Sequence, residues 1–316
     1  MRFLKIPENG ASWNAALCYT MATERGLKDD VVVEVIDAIS GEVLGTRRLY
    51  GITTAEVDIA PYVRNAIGVA TLTTAILELS PSARAIIVRA NGVDAEQRIF
   101  YRAELHTTSP HILSSLKQPS VVAHGDVIRI TAFATEEVRV SVEDKRIVEA
   151  EVVSAIQSKS MPVEIAVQTS LYVGHNVPIR VKVTCDRGYT YTFDCTIVEP
   201  TEASYRIAWY NTEGGIECYT FPRGVRESLG AEMAAEIRGR ASRLRGVVAR
   251  YRLVSAFEAR DEVERIAGVI FSPEVYECKG VESSVVKLLD REIRYDDHGG
   301  LRRVELGVEK EWTVGL

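Results

Sequence analysis

The chain is written largely in alternation. In "VPIRVKVTC", Ile179, Val181, Val183 and Cys185 fall on one side, and Arg180, Lys182 and Thr184 on the other. Successive side chains of a strand point to opposite faces, so such a run predicts a half-buried β-strand. "YTYTFDCTI" places Tyr189, Tyr191, Phe193, Cys195 and Ile197 on one face, and "EEVRVSVED" does the same with Val138, Val140 and Val142. With "DVIRITAF" and "PVEIAVQTS", these short strands predict a β-sandwich of Ig-like size over residues 111–200. The Cys–Trp–Cys pattern of antibody domains is absent, so only the architecture is implied.

Residues 1–110 read as a β-rich N-terminal module, sandwich-like in character. "VVVEVIDAISGEVLGTRRLY" predicts two strands around Ser40-Gly41, and "AEVDIAPYVRN" a strand that Pro61 either ends or turns into one helical turn. Asn91-Gly92 is a hairpin signal between apolar runs. The Ser-, Thr- and Pro-rich stretch from His106 to Asp126 carries the first boundary, near residue 110, and "VEPTEAS" the second.

Residues 201–316 mix periods and predict an α+β module with one clear helix. In "SAFEARDEVERIAGVIFSPE", Val263, Ile266, Ala267 and Ile270 follow helical spacing, and Ser255 with Glu258 suggests a capping box. Leu229, Met233, Ile237 and Ala241 recur every four residues, so part of 223–246 is expected to be helical, although Gly230, Gly239 and Gly246 weigh against it. "EVYECK", "SSVVKLL" and "LRRVELGVE" predict closing strands, the last two joined by the turn Asp296 to Gly300.

Composition narrows the function. At 316 residues the chain needs two or three domains, and its formal net charge of −6 disfavours nucleic acid and anionic membrane. Pro7, Glu8 and Asn9 interrupt the first apolar residues, so no signal peptide is expected, and no stretch approaches bilayer length. Synthesis in the cytoplasm and no membrane insertion follow as expectations. Five scattered cysteines show no zinc spacing. A three-residue turn at Asp186-Arg187-Gly188 sets Cys185 opposite Tyr189 and Ile179 opposite Cys195, too far apart for a bridge, so both are expected as free thiols.

Candidate chemistry is sparse. There is no nucleophile elbow, no phosphate-binding glycine loop and no Walker motif. His106, His111, His124, His175 and His298 fall mostly in expected turns. "YDDHGG" offers Asp296, Asp297 and His298, but adjacent residues in one turn rarely converge on a metal. Glu136-Glu137 and Glu262/Glu264 read as exposed acids. No catalytic, cofactor-binding or metal-binding residue is assigned. The arginines between Arg223 and Arg252, including Arg243 and Arg245, form either a solvated face or a basic contact patch.

The most distinctive stretch is "YRIAWYNTEGGIECYTF", Tyr205 to Phe221. It predicts two strands reversing at Glu213-Gly214-Gly215, with Gly214 and Gly215 free to take the positive φ a tight turn needs. Trp209 is expected to anchor the module's core. Tyr210, Tyr219 and Phe221 are assigned to the opposite face, which either lies buried in the same molecule or meets a neighbour.

"RIAWYNTEGGIECYTF" resembles a W-x-N-x-x-G-G-x-x-x-Y-x-F hairpin of tail-associated structural proteins of bacteriophages and prophages. "VSAFEARDEVERIAGVIFSPEVYEC" and "LRRVELGVEKEW" resemble the rest of that C-terminal module, and "RFLKIPENGASWNAALCYTM" with "AEVDIAPYVRN" resembles a leading β-domain. The resemblance implies a non-enzymatic part of a phage tail or tail-like particle, with no cofactor. Its partners would be other particle subunits or further copies of itself. The competing expectation is a carbohydrate- or protein-binding β-sandwich adhesin or receptor-binding module.

Overall fold

The structure is a computed structural model that describes residues 1–12, 15–67, 72, 74–102, 109–119, 121–147, 151–186, 188–233, 244–272 and 274–313. It is mainly β, as the alternation implies. In the N-terminal module, Arg2–Lys5, Cys18–Ala22 and Thr54–Asp58 make one sheet. Asp29–Asp37, Val43–Ile52, Ala83–Ala90, Val93–Asp94 and Arg98–Tyr101 make the other. Tyr19, Met21 and Val57 of the first pack on Val33, Val35, Val88 and Phe100 of the second. Pro61 starts a helix, Ala60–Ala66, because its missing N–H costs nothing in a first turn. That helix lays Ala60 and Val63 on the same core. Asn91 and Gly92 take φ of 46° and 78°, as a two-residue hairpin turn requires.

The central sandwich packs two sheets face to face. One runs in the order His111–Ile112, Val127–Phe133, Pro162–Gln168, Leu77–Leu79. The other runs Val121–Ala123, Tyr189–Val198, Val177–Cys185, Glu137–Asp144, Glu151–Gln157. Ile128, Ile130, Val163 and Ile165 meet Val140, Val181, Val183 and Ile197 between them. Leu77–Leu79 pairs with Val163–Ile165, so a strand from before residue 110 belongs to this sandwich. Three residues are too few for their alternation to reveal which sheet they join.

The hairpin after Val177 has the expected register, Cys185 opposite Tyr189 and Ile179 opposite Cys195, and all five thiols are free. Burial pushes the Cys185 thiol up to about 12 and that of Cys195 up to about 11, which keeps both protonated and unreactive. All five cysteines should therefore react with a thiol reagent in denaturant without reductant. A mass showing a Cys185–Cys195 bridge would contradict the register.

The C-terminal module is one seven-stranded sheet: Ile216–Phe221, Tyr205–Tyr210, Val275–Lys279, Glu282–His298, Leu301–Thr313, Leu244–Val254, Arg223–Met233. The helix Arg260–Ala267 covers its inner face with Val263 and Ile266, and Ala267 and Ile270 are half-buried as their spacing implies. Among the described residues no helix is long and apolar enough to cross a membrane.

Two expectations here need correction. Leu229 and Met233 lie in a strand, not a helix; Ile237 and Ala241 lie outside the described residues. A spacing of four keeps residues on one face of a strand as well as of a helix, so it does not discriminate. The capping box does not form. The helix starts at Arg260 after Ala259, and Ser255 instead accepts the Val304 N–H at 2.8 Å. Glu258 is bridged to Arg302.

Candidate functional site

Two sandwich strands, Val127–Phe133 and Pro162–Gln168, are covered on both faces. Their second face carries Arg129, Thr131, Glu164 and Ala166 and lies under the C-terminal module. There Glu164 accepts the Tyr210 hydroxyl and Thr131 the Ile216 N–H of that module. The Tyr205–Phe221 hairpin makes this junction.

The hairpin's loop has five residues, Asn211 to Gly215, with Tyr210 opposite Ile216. The Asn211 side chain organises it. Its Oδ1 accepts the N–H groups of Glu213 and Gly215, both at 2.9 Å, and its Nδ2 donates to the Leu113 carbonyl at 2.8 Å. Gly214 takes φ of 78°. Gly215 is required for closeness: a Cβ there would stand 2.5 Å from the Leu113 carbonyl oxygen. Each glycine thus has its own reason.

The segment from Leu113 to Lys117 is stitched to this loop. Ser114 Oγ donates to the Ile216 carbonyl at 2.6 Å and accepts the Thr131 N–H at 2.9 Å. The Ile216 N–H donates to Thr131 Oγ1 at 2.9 Å. Glu217, 1% exposed, accepts the N–H of Ser115 at 2.5 Å and of Leu116 at 3.0 Å. Burial pushes its carboxyl up, against the opposing pull of those donors. Removing a carboxylate oxygen here leaves a buried N–H without its acceptor. Glu217→Gln should destabilise the protein by about 1–2 kcal/mol in a urea melt, the usual range for a lost bond of this kind. An unchanged midpoint would show that the stitch contributes nothing.

The register corrects the expected faces. Ile207 is opposite Tyr219, Trp209 opposite Glu217 and Tyr205 opposite Phe221, so Tyr219 and Phe221 share the face of Trp209. Trp209 is fully buried in the module core, as expected, together with Phe221. Tyr210 lies on the other face but is 2% exposed, donating to Glu164 Oε1 at 2.9 Å. Tyr210 and Phe221 are therefore covered within the chain and do not form a surface for a partner. Tyr219 is half-buried and ties the hairpin to the segment before the helix. Its hydroxyl donates to Glu258 at 2.9 Å and accepts the Ala256 N–H at 3.2 Å.

Arg206 was not singled out by its pattern, yet it bridges modules. It is 6% exposed and donates to Thr220 Oγ1 at 2.6 Å and to the Val127 carbonyl at 3.1 Å. Beside it a cleft of about 920 Å³ opens, walled by Lys117, Gln118, Tyr191, Tyr219, Glu262 and Arg265.

The remaining candidates are dispersed. Arg243 and the side chain of Arg245 lie outside the described residues. Arg250 pairs with Glu309 at 2.9 Å and Arg252 with Glu227 at 3.2 Å, a charged ladder on the sheet. Asp296 pairs with Arg303 at 2.8 Å and Asp297 with Arg302, so the hairpin tip is neutralised from the facing strand. His111 stands in a strand against Phe133, and His175 pairs with Glu199. His106 lies outside the described residues. Among the described residues no group of three His, Cys, Asp or Glu side chains is placed to hold a metal ion.

No protein-family profile matches the chain, and no curated protein matches it. Solved structures that match include DIP-gamma IG1+IG2, at 9% identity over 63% of this chain and 98% of that one, with a TM-score of 0.17. Salmonella alpha-2-macroglobulin reacted with methylamine matches at 9% identity over 95% of this chain and 19% of that one, with a TM-score of 0.22. A 1.5-MDa bacterial ice-binding adhesin matches at 12% identity over 78% of this chain and 88% of that one, with a TM-score of 0.17. Superposition this poor carries no argument about function.

Proposed function

We propose that the protein is a non-enzymatic structural component of a phage tail or tail-like particle, made in the cytoplasm and acting through contacts with other subunits or with itself. One observation supports this most. Of the residues that carry the resemblance, Asn211 and Gly215 fasten the hairpin to the segment at Leu113, while Trp209, Tyr219 and Phe221 hold it in its own module. A part that must transmit force through a particle needs modules that do not swing apart, and buried polar stitches fix one relative placement. Among the described residues the strand Arg223–Met233, eleven residues long, is the edge of its sheet and leaves backbone groups for pairing with a neighbour.

The binding-module reading has one observation in its favour, the cleft beside Arg206 with Tyr191 and Tyr219 on its walls. Mass spectrometry of particles purified from the producing cells separates the readings. A structural role predicts the chain at fixed copy number, and disruption of its gene should leave no assembled tails. Intact tails lacking the chain would overturn the proposal.

A further inference from the structure

Glu164 is a carboxyl group at the meeting point of three parts of the chain. It projects from the strand Pro162–Gln168 toward the C-terminal module and is 2% exposed. Its Oε1 accepts two hydroxyls, Ser80 from the segment leading back to the N-terminal module and Tyr210 from the C-terminal hairpin, both at 2.9 Å. Ser80 is braced by Ser82 at 2.9 Å. Oε2 is buried and has no hydrogen-bond partner among the described residues. No described Lys, Arg or His nitrogen lies within 4.0 Å of the carboxyl group.

The charged and titratable groups that face it come from every neighbouring element. Arg129 stands on the same face of the adjacent strand, diagonal to Glu164 across the pair Thr131–Glu164. Glu78 is opposite Glu164 on the strand Leu77–Leu79. Tyr276 contributes from the C-terminal sheet, and Arg102 lies over the Tyr210 ring at 5.2 Å. One cation on the same face and an opposing acid do not offset the burial of an anion here. Desolvation pushes the Glu164 carboxyl up despite Arg129 and the two hydroxyls. A neutral acid with one unpaired oxygen costs less in such a place than a carboxylate without a close cation.

We infer that Glu164 is a proton-operated latch: it accepts the Ser80 and Tyr210 hydroxyls in a buried site that keeps it as the neutral acid, and loss of the proton, which leaves an anion there without a close cation, favours opening of the junction to water. The sign follows from where the proton is held. An ordinary glutamate ionises near 4.5, and Glu164 does so at higher pH when folded. The junction is therefore most stable below that ordinary value and weakens as pH rises toward Glu164's own. Through that window the folding constant falls by up to about tenfold per pH unit.

The test compares wild type with Glu164→Gln, which keeps the shape and an oxygen acceptor but has no proton to lose. Denaturant melts are run from about pH 5 to about pH 8, the range open to a raised carboxyl. Glu217, Asp126 and Glu262 shift in the same direction, so the readout is the difference between the two proteins. Glu164→Gln should lose less stability as pH rises and should exceed wild type at the alkaline end. Parallel pH profiles would overturn the latch. Difference infrared spectroscopy on the native wild-type protein provides the second measurement. A protonated-carboxyl C=O band that persists above the ordinary glutamate range and is missing in Glu164→Gln is expected. Its absence from wild type would refute the inference even if the variant failed to fold.

Discussion

Trp209→Ala should lower the stability of the protein by about 3–5 kcal/mol in a denaturant melt, the usual range for truncating a large buried aromatic. Trp209 is fully buried, among Phe221, Val263, Ile266 and Leu306, where the sheet meets its helix. The hole left by an indole cannot be refilled from a strand flanked on both sides. Its Nε1 has no acceptor among the described residues, so the cost lies in volume rather than in a hydrogen bond. Trp209→Phe should accordingly cost much less than Trp209→Ala. Equal losses would show that the indole nitrogen, not packing, matters. A Trp209→Ala protein that melts like wild type would remove Trp209 from the core.

Gly215→Ala should destabilise the protein by about 3 kcal/mol, at the upper end of the range for overpacking. The added Cβ would stand 2.5 Å from a carbonyl oxygen and 2.6 Å from its carbon, both of Leu113, and backbone cannot swing aside as a side chain can. The strain falls between modules, so separation of the linker from the loop is the expected relief. Gly214→Ala tests a different cause. Gly214 takes φ of 78°, so its penalty is conformational and should be smaller, about 1 kcal/mol. Two calorimetric melts separate the causes. A larger loss at Gly214 than at Gly215 would mean that the turn, not the close approach, limits the loop.

The strands were legible where the alternation was long and one face was wet. Ile179, Val181 and Val183 gave both the strand and, with the short turn at Asp186, the register of the cysteines. The hairpin at Trp209 is a case where the expected faces fail on parity, not on loop length: a loop of three residues or of five pairs odd-numbered with odd-numbered residues, so Tyr219 and Phe221 share the face of Trp209 in either register. The junction was harder still. Arg206 and Glu164 occupy polar positions of alternating strands and so read as solvent-facing, but a neighbouring module covers them, and Glu217, on the face of Trp209, is covered by Ser115 and Leu116. Periodicity tells which face a residue shares, not what that face meets. Leu229 and Met233 show the same limit, since their spacing suits either regular structure.

The central claim is that the Tyr205–Phe221 hairpin is a fastening between modules and not a ligand loop. Native-state hydrogen exchange tests it directly at Ser115, Leu116 and Ile216, whose N–H groups are held by Glu217, Glu217 and Thr131. They should exchange together and as slowly as the sandwich strand Val127–Phe133, and Gly215→Ala should release all three at once. Fast exchange of Ser115 and Leu116 beside a protected sandwich would show that the linker is not fastened, and would contradict the account.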